Sequence, residues 1–209
     1  EHAIAMMFAT ARKIPQASSS THLGKWEKSK FMGTELTGKT LGVIGCGNIG
    51  SIVIRKAQGL EMKVIGYDPF LTTERAEDLG IAKVELTDLF KQADFITLHV
   101  PLNDATKNII NAKAIEQMKK GVFIINCARG GLIDEAALKD ALDSEQVAGA
   151  ALDVFAVEPA KENILFGHER LVVTPHLGAS TSEAQENVAI DVASQISNYL
   201  NNGVIENSI

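Results

Sequence analysis

The stretch from Lys39 to Pro69, K-T-L-G-V-I-G-C-G-N-I-G-S-I-V-I-R-K-A-Q-G-L-E-M-K-V-I-G-Y-D-P, constrains this chain more than any other. A short apolar run, Leu41 to Ile44, reads as a buried strand. Gly45, Gly47 and Gly50 follow in G-x-G-x-x-G spacing, and a helical pattern runs from about Ile49 to Gly59. A second apolar run, Met62 to Gly66, ends at Tyr67-Asp68. Strand, glycine turn, helix, strand and acid, in that order, make a frame for a dinucleotide. Gly45 permits a tight turn, Gly47 lets the backbone approach a pyrophosphate, and Gly50 lets the helix lie near the strand. The N–H groups at the helix start, with its dipole, favour phosphate charge. Asp68 can accept hydrogen bonds from ribose hydroxyls and would repel a 2′-phosphate, so the pattern selects NAD over NADP. A glycine-rich turn alone is common and often only structural; the flanking strand, helix and acid carry the reading.

Beyond this unit, strand and helix patterns alternate. Residues 73 to 79 suit a helical turn and Ile81 to Leu86 a short strand, and Thr87 or Asp88 suits the cap of a helix through Gln92. Asp94 to Val100 reads as a strand stopped by Pro101. Residues 111 to 119 read as helix, Val122 to Asn126 as a buried strand, and Asp134 as the cap of a helix to about Leu142. Val147 to Val154 and residues 171 to 174 read as strands, and Ser180 to Leu200 as a long closing helix. The expected class is α/β: a doubly wound, mostly parallel sheet with right-handed crossovers, of the Rossmann type. The opening residues, 1 to 14, form an apolar helix pattern that Pro15 and the Ser18–Thr21 cluster are expected to end. Such a helix needs a partner surface, in its own domain or in another subunit. Residues 16 to 36 read as a polar arm centred on Trp26. The expected division is thus 1–36 helix and arm, 37–179 core, and 180–209 closing helix.

With 209 residues, 45% of them hydrophobic, the chain can bury a sizeable core. A net charge of −6 with no long basic run gives no reason to expect nucleic acid. No apolar run has the length of a membrane span, and the flanks of the apolar start are reversed for a signal peptide. Cys46 and Cys127 lie in separate motifs without metal-ligand spacing, so no metal is expected; they read as small buried residues and suit a reducing, cytoplasmic setting. Glu1 leads directly into a helix pattern, and few residues follow Asn201-Asn202-Gly203. The chain reads as a piece of a longer one.

Ligands of such sheets sit at the carboxyl ends of the strands. There the sequence places His99-Val100-Pro101, Asn126 to Gly131, Asp153 with Glu158-Pro159 beyond, and Pro175 to Thr181. Arg129 can grip a carboxylate and polarise a carbonyl through its planar fork of donors. His176 can give a proton to a carbonyl oxygen as hydride arrives and take it back in reverse. Glu158, if it touches the imidazole, would favour the protonated form. Each also has a plainer reading: Arg129 as the cap of a turn, His176 as a satisfied loop histidine, Glu158 as a solvated loop acid, Asp153 as a cap. His2, His22 and His168 read as surface residues, and His99 as part of a pocket wall.

Taken in order, G-C-G-N-I-G, Y-D-P, H-V-P-L, N-C-A-R-G-G-L-I-D-E, A-L-D-V-F-A-V-E-P and T-P-H-L-G-A-S-T-S-E-A-Q closely resemble the D-2-hydroxyacid dehydrogenases. The resemblance extends through E-H-A-I-A-M-M, R-K-I-P-Q-A and G-K-W-E…F-M-G-T-E-L-T-G-K, essentially the whole chain. Within the family it is most similar to members that oxidise 3-phospho-D-glycerate at the head of the serine pathway. The resemblance implies that Arg129 orients substrate, Glu158 partners the histidine, and His176 is the acid/base. It implies that the backbone of Asn48 and Ile49 meets the pyrophosphate and that Asp68 holds the ribose. Val100, Cys127, Ala128, Asp153, Gly178 and Ala179 would form the adenine and nicotinamide walls, with Arg129 and His176 also beside the cofactor. Valine at 100, where some relatives carry threonine, offers no side-chain hydrogen bond. The opening helix and arm are implied to build a homodimer, or a tetramer of such pairs, which would explain an apolar helix with nothing local to cover it. The substrate domain of such chains is built from both ends around this unit and would be largely absent here, along with most of the substrate grip. Two readings compete: action on another D-2-hydroxy acid (glycerate/hydroxypyruvate or lactate), and an NAD-sensing corepressor-like module.

Overall fold

The computed structural model describes residues 1–205 and divides into two units, the first ending at Pro175 and the second beginning at His176. The last residues of the expected closing segment, 206–209, lie outside the described ones. The first unit contains, in order, helices α1 (His2–Ala11) and α2 (Ile14–His22), a 3-10 turn (Lys28–Phe31), then β1 (Thr40–Ile44), α3 (Asn48–Gly59), β2 (Lys63–Tyr67), α4 (Thr73–Asp78), β3 (Ala82–Lys83), α5 (Leu86–Gln92), β4 (Phe95–Leu98), α6 (Ala112–Ile115), β5 (Val122–Asn126), α7 (Glu135–Asp143), β6 (Val147–Leu152) and β7 (Leu171–Val173). The second unit carries α8 (Ser182–Asn202).

All seven strands join one sheet in the order β3-β2-β1-β4-β5-β6-β7, and every pairing is parallel. The order reverses direction beside β1, which makes the β1/β4 boundary the switch point of a doubly wound fold. Side chains alternate between two cores, as a pleated strand buried on both faces requires. Val43, Phe95, Phe123, Ile125 and Ala151 face one core with α1, α3 and α4. Ile44, Ile96, Ile124, Ala150 and Leu152 face the other with α5, α6 and α7. Phe95 and Phe123, paired in register across β4 and β5, stack with ring centroids 4.7 Å apart.

Several local expectations shift for physical reasons. Pro15 begins α2 instead of ending α1: it occupies the first turn, where its missing N–H leaves no bond unmade, and Lys13 breaks the chain direction in the left-handed region. The Ser/Thr cluster is therefore helical, and Thr21 donates back to the Ala17 carbonyl at 2.9 Å. Glu85, not Thr87 or Asp88, stands at the N-cap of α5. Only Ala82–Lys83 of the expected third strand pairs, at the sheet edge. The expected cap at Asp134 forms as side-chain bonds (accepting from Ala136 and Ala137 N–H, 3.1 Å each), and Thr181, inside the expected closing helix, caps its start instead.

The opening helix does have local cover. Ala3, Met6, Met7 and Ala11 of α1 are buried against the β5–β7 side of the sheet. The small residues of β6 make this possible, because a Cβ on Gly149 would stand 2.7 Å from Thr10 Oγ1. A homodimer is therefore not needed to explain the apolar face of α1. Met7 has no exposed surface, so Met7→Ala is expected to destabilise the isolated chain by about 2–5 kcal/mol. Urea unfolding at a protein concentration that excludes dimers checks this; an unchanged midpoint would return α1 to the role of an intersubunit arm.

Candidate functional site

The glycine turn assigns its three glycines separate tasks. Gly45 has φ +95°, and a Cβ there would lie 2.5 Å from the His99 carbonyl oxygen. Gly50 sits on the Gly45 carbonyl, so closely that an added Cβ would be 2.0 Å from that oxygen. Gly47 has nothing within 4 Å of where its Cβ would be. The first and third glycines thus let backbone meet backbone, while the second keeps open the space above the start of α3. Asn48 and Ile49 form the exposed first turn of that helix, whose free N–H groups suit an anion.

Asp68 follows β2, where its Oδ2 accepts from Cys46 N–H (2.8 Å) and its Oδ1 from Phe70 N–H (2.8 Å). These bonds tie the acid to the glycine turn, and each carboxylate oxygen retains acceptor capacity for a ribose hydroxyl. His99 and Val100, half-buried, leave β4 beside Gly45. His99 bonds to Thr97 Oγ1 at 3.0 Å, and burial pulls its pKa down to about 4. It is neutral at neutral pH.

The turn after β5 is built by Asn126, 1% exposed, a residue whose role was not singled out from sequence. Its Oδ1 accepts from Ala128 N–H (3.0 Å) and its Nδ2 donates to the Arg129 carbonyl (2.9 Å). The polar end of an otherwise apolar strand was the available signal. Cys127 and Ala128 are half-buried on this turn, and Arg129 is exposed, its Nη1 donating to the Ala128 carbonyl. Burial, with the Asp153 charge adding to it, pushes the Cys127 thiol up to about 12. Gly130 explains the Arg-Gly-Gly sequence: its Cβ would fall 1.7 Å from the Phe155 carbonyl oxygen. The Arg129 loop and the loop after β6 therefore touch backbone to backbone. In the latter loop, exposed Glu158 accepts from Phe155 N–H at 3.0 Å.

Asp153 is wholly buried and accepts from Thr174 Oγ1 (2.5 Å), with His2 Nε2 3.3 Å from the same oxygen. His2 also bonds Thr174 (3.0 Å), so it is an internal tether and not a surface residue. His168 is likewise half-buried, with Nδ1 accepting from Arg170 N–H (3.1 Å) and Nε2 3.3 Å from Asp143. His22 is exposed as expected. In the second unit His176, Gly178 and Ala179 are exposed, and His176 adopts φ +56°, an uncommon conformation for a residue with a side chain.

Residues 4–178 match the model of the D-isomer specific 2-hydroxyacid dehydrogenase, NAD binding domain. The chain belongs to this family. It is 54% identical over 200 residues to a D-3-phosphoglycerate dehydrogenase of Synechocystis, covering 96% of this chain and 36% of that protein. It is 49% identical over 210 residues to one of Methanocaldococcus jannaschii, covering 100% and 40%. A solved glyoxylate reductase of Paecilomyes thermophila superposes with a TM-score of 0.92 at 35% identity, over 98% of this chain and 62% of that one. The chain thus spans well under half the length of these curated relatives. The cofactor of the family is NAD, and the residues fit it: the open space at Gly47 and the free start of α3 can take the pyrophosphate, and Asp68 the ribose.

Two outcomes follow. Gly47→Ala is expected to leave stability unchanged while weakening NADH binding roughly tenfold or more, about 1.4 kcal/mol. Gly50→Ala should lose about 1–3 kcal/mol of stability together with binding, because its methyl meets backbone that cannot yield. NADH fluorescence titration and urea unfolding separate the two. For His99, the folded pKa lies below the unfolded value of 6.5, so above pH 6.5 the group is neutral in both states and costs nothing. As pH falls from 6.5 toward 4 the unfolded state takes the proton first, removing roughly 3 kcal/mol at most. His99→Gln should flatten that part of the stability-against-pH curve.

Proposed function

We propose that this chain is the NAD-binding portion of an enzyme that oxidises 3-phospho-D-glycerate to 3-phosphohydroxypyruvate, the first step of serine biosynthesis, in a reducing, cytoplasmic setting. The observation that carries the reading is the loop pair at the carboxyl edge of the sheet. Gly130 packs on the Phe155 carbonyl and so braces the Arg129 loop against the one bearing Glu158. About 50% identity to proteins named for this activity supports the substrate.

In this reading Arg129 holds the substrate carboxylate and polarises the neighbouring carbonyl, a task for which its planar fork of donors is suited. His176 takes the hydroxyl proton in oxidation and returns it in reduction. Its left-handed backbone supports a functional role, since strained residues persist where an exact side-chain direction is needed. Glu158 is the proposed partner of His176. NAD, when bound, would supply the hydride acceptor. Gly45, Gly47, Asn48, Ile49, Gly50 and Asp68 hold its adenosine and pyrophosphate end. Val100, Cys127, Ala128, Arg129, Asp153, His176, Gly178 and Ala179 wall the rest. The exposed Leu23, Trp26 and Met32 of the arm support pairing with a second copy as a homodimer or a larger assembly.

The test is NADH oxidation by the full-length chain that contains this sequence, with 3-phosphohydroxypyruvate, hydroxypyruvate and pyruvate compared. A large preference for the phosphorylated acid is expected; preference for an unphosphorylated acid would keep the mechanism and change the substrate. His176→Ala should reduce kcat about 100-fold or more with NADH affinity nearly unchanged. Loss of NADH binding in that variant would make His176 structural. The 209-residue chain alone is expected to bind NADH and turn over slowly or not at all.

A further inference from the structure

Three groups from distant parts of the first unit converge at the carboxyl end of β5 and β6. His2 Nε2, Cys127 Sγ and an Asp153 carboxylate oxygen all lie within 4.8 Å of one another. His2 opens α1, Cys127 follows β5 and Asp153 follows β6, so no spacing in the sequence announces the set. We propose that these three side chains form a binding site for a borderline-soft divalent cation, Zn²⁺ or Cd²⁺.

The geometry is close to what such an ion needs. Tetrahedral zinc with bonds of about 2.0–2.3 Å places its ligand atoms roughly 3.3–3.7 Å apart. The His2 nitrogen and Asp153 oxygen are already 3.3 Å apart. Cys127 Sγ lies within 4.8 Å of both, so it has at most about 1 Å to close. The chemistry selects the ion as well. One sulfur, one imidazole nitrogen and one carboxylate oxygen suit zinc or cadmium, whereas magnesium and calcium require more oxygens. Thr174 supplies outer support, since its hydroxyl donates to Asp153 Oδ1 at 2.5 Å and fixes the carboxylate direction.

The charges balance. On coordination the Cys127 S–H bond breaks, its proton passes to water, and the sulfur lone pair bonds the ion, with no change of oxidation state. A dication, a thiolate and a carboxylate sum to zero, which suits a site whose carboxylate is wholly buried. His2 Nε2 would exchange its hydrogen bond to Thr174 for a bond to the metal. Access is available from the His2 side, whose side chain is 23% exposed. A bound ion would tie α1 to the ends of β5 and β6.

Titration of the purified protein with Cd²⁺ in the absence of competing thiols tests the site. An ultraviolet thiolate–cadmium charge-transfer band that saturates at one equivalent is expected. It should vanish in Cys127→Ser, persist in Cys46→Ser, and require roughly tenfold or more Cd²⁺ in His2→Gln. Zn²⁺, and not Mg²⁺, should raise the melting temperature of the wild type. No band, or a band undiminished in Cys127→Ser, overturns the site. Should Cys127→Ser fail to fold, alkylation of the wild type mapped by mass spectrometry decides: one equivalent of Zn²⁺ should protect Cys127, and equal labelling with and without the ion overturns the proposal. Because the proposed function places Cys127 on the cofactor wall, the ion should also displace NADH, a consequence that rests on that reading. NADH that binds and is displaced supports both. NADH that binds undisplaced beside an intact cadmium band upholds the metal site and removes Cys127 from the cofactor wall.

Discussion

The seat of Gly50 on the Gly45 carbonyl sets where everything at the sheet edge can go. A helix can start this close to a strand only if neither backbone carries a side chain at the contact. That approach brings the first N–H groups of α3 to the carboxyl end of β1. Hydrogen bonds from Gly45 N–H to Tyr67 (2.8 Å) and from His99 N–H to Ile44 (2.7 Å) extend the ladder past the formal strand ends on both sides. The turn is thereby held by β2 and β4 together, and Asp68 reaches back to Cys46 from the first of them. A phosphate cradle made of backbone has no rotamers to lose on binding, so its affinity depends on this rigidity.

The same device recurs along the edge. Gly130 against Phe155 and Gly149 beneath α1 are two further places where a missing Cβ lets two elements share space. The first joins the loops of β5 and β6; the second lets the opening helix lie on small residues of β6. Polar anchoring then follows the same strands. Asn126 shapes one loop from within, and Asp153, Thr174 and His2 bind the ends of β6, β7 and α1 to each other. Buried polar groups of this kind are costly unless all are satisfied, and when satisfied they rigidify this edge.

Much of this was legible in the sequence because it is local. Short continuous apolar runs bounded by turn residues pointed to β1, β2, β4 and β5 nearly to the residue, and the roles of Gly45, Gly47 and Gly50 follow from their spacing. The cap at Asp134 needed only residues two and three positions away. Proline serves both ends of a helix, so Pro15 signals a stop as readily as the start it makes in α2, and the Ser/Thr residues after it suit a break as well as a helix in which a hydroxyl bonds back. The half-buried settings of His2 and His168 are not legible locally, because each has a partner far away in the chain.

The sequence by itself determined the order of strands and helices, the nucleotide cradle and the residue types delivered to the strand ends, since these depend on contacts within a few residues and on the pleat. The tertiary structure decided which distant side chains meet. It put α1 inside the domain core, closed the Arg129 loop onto the Phe155 carbonyl, and gathered His2, Cys127 and Asp153 with ligand atoms within 4.8 Å of one another. The physical reason is that parallel strands are joined only through crossovers, so neighbours at a sheet edge are distant in the chain. Their side-chain encounters depend on packing distances that no linear pattern encodes.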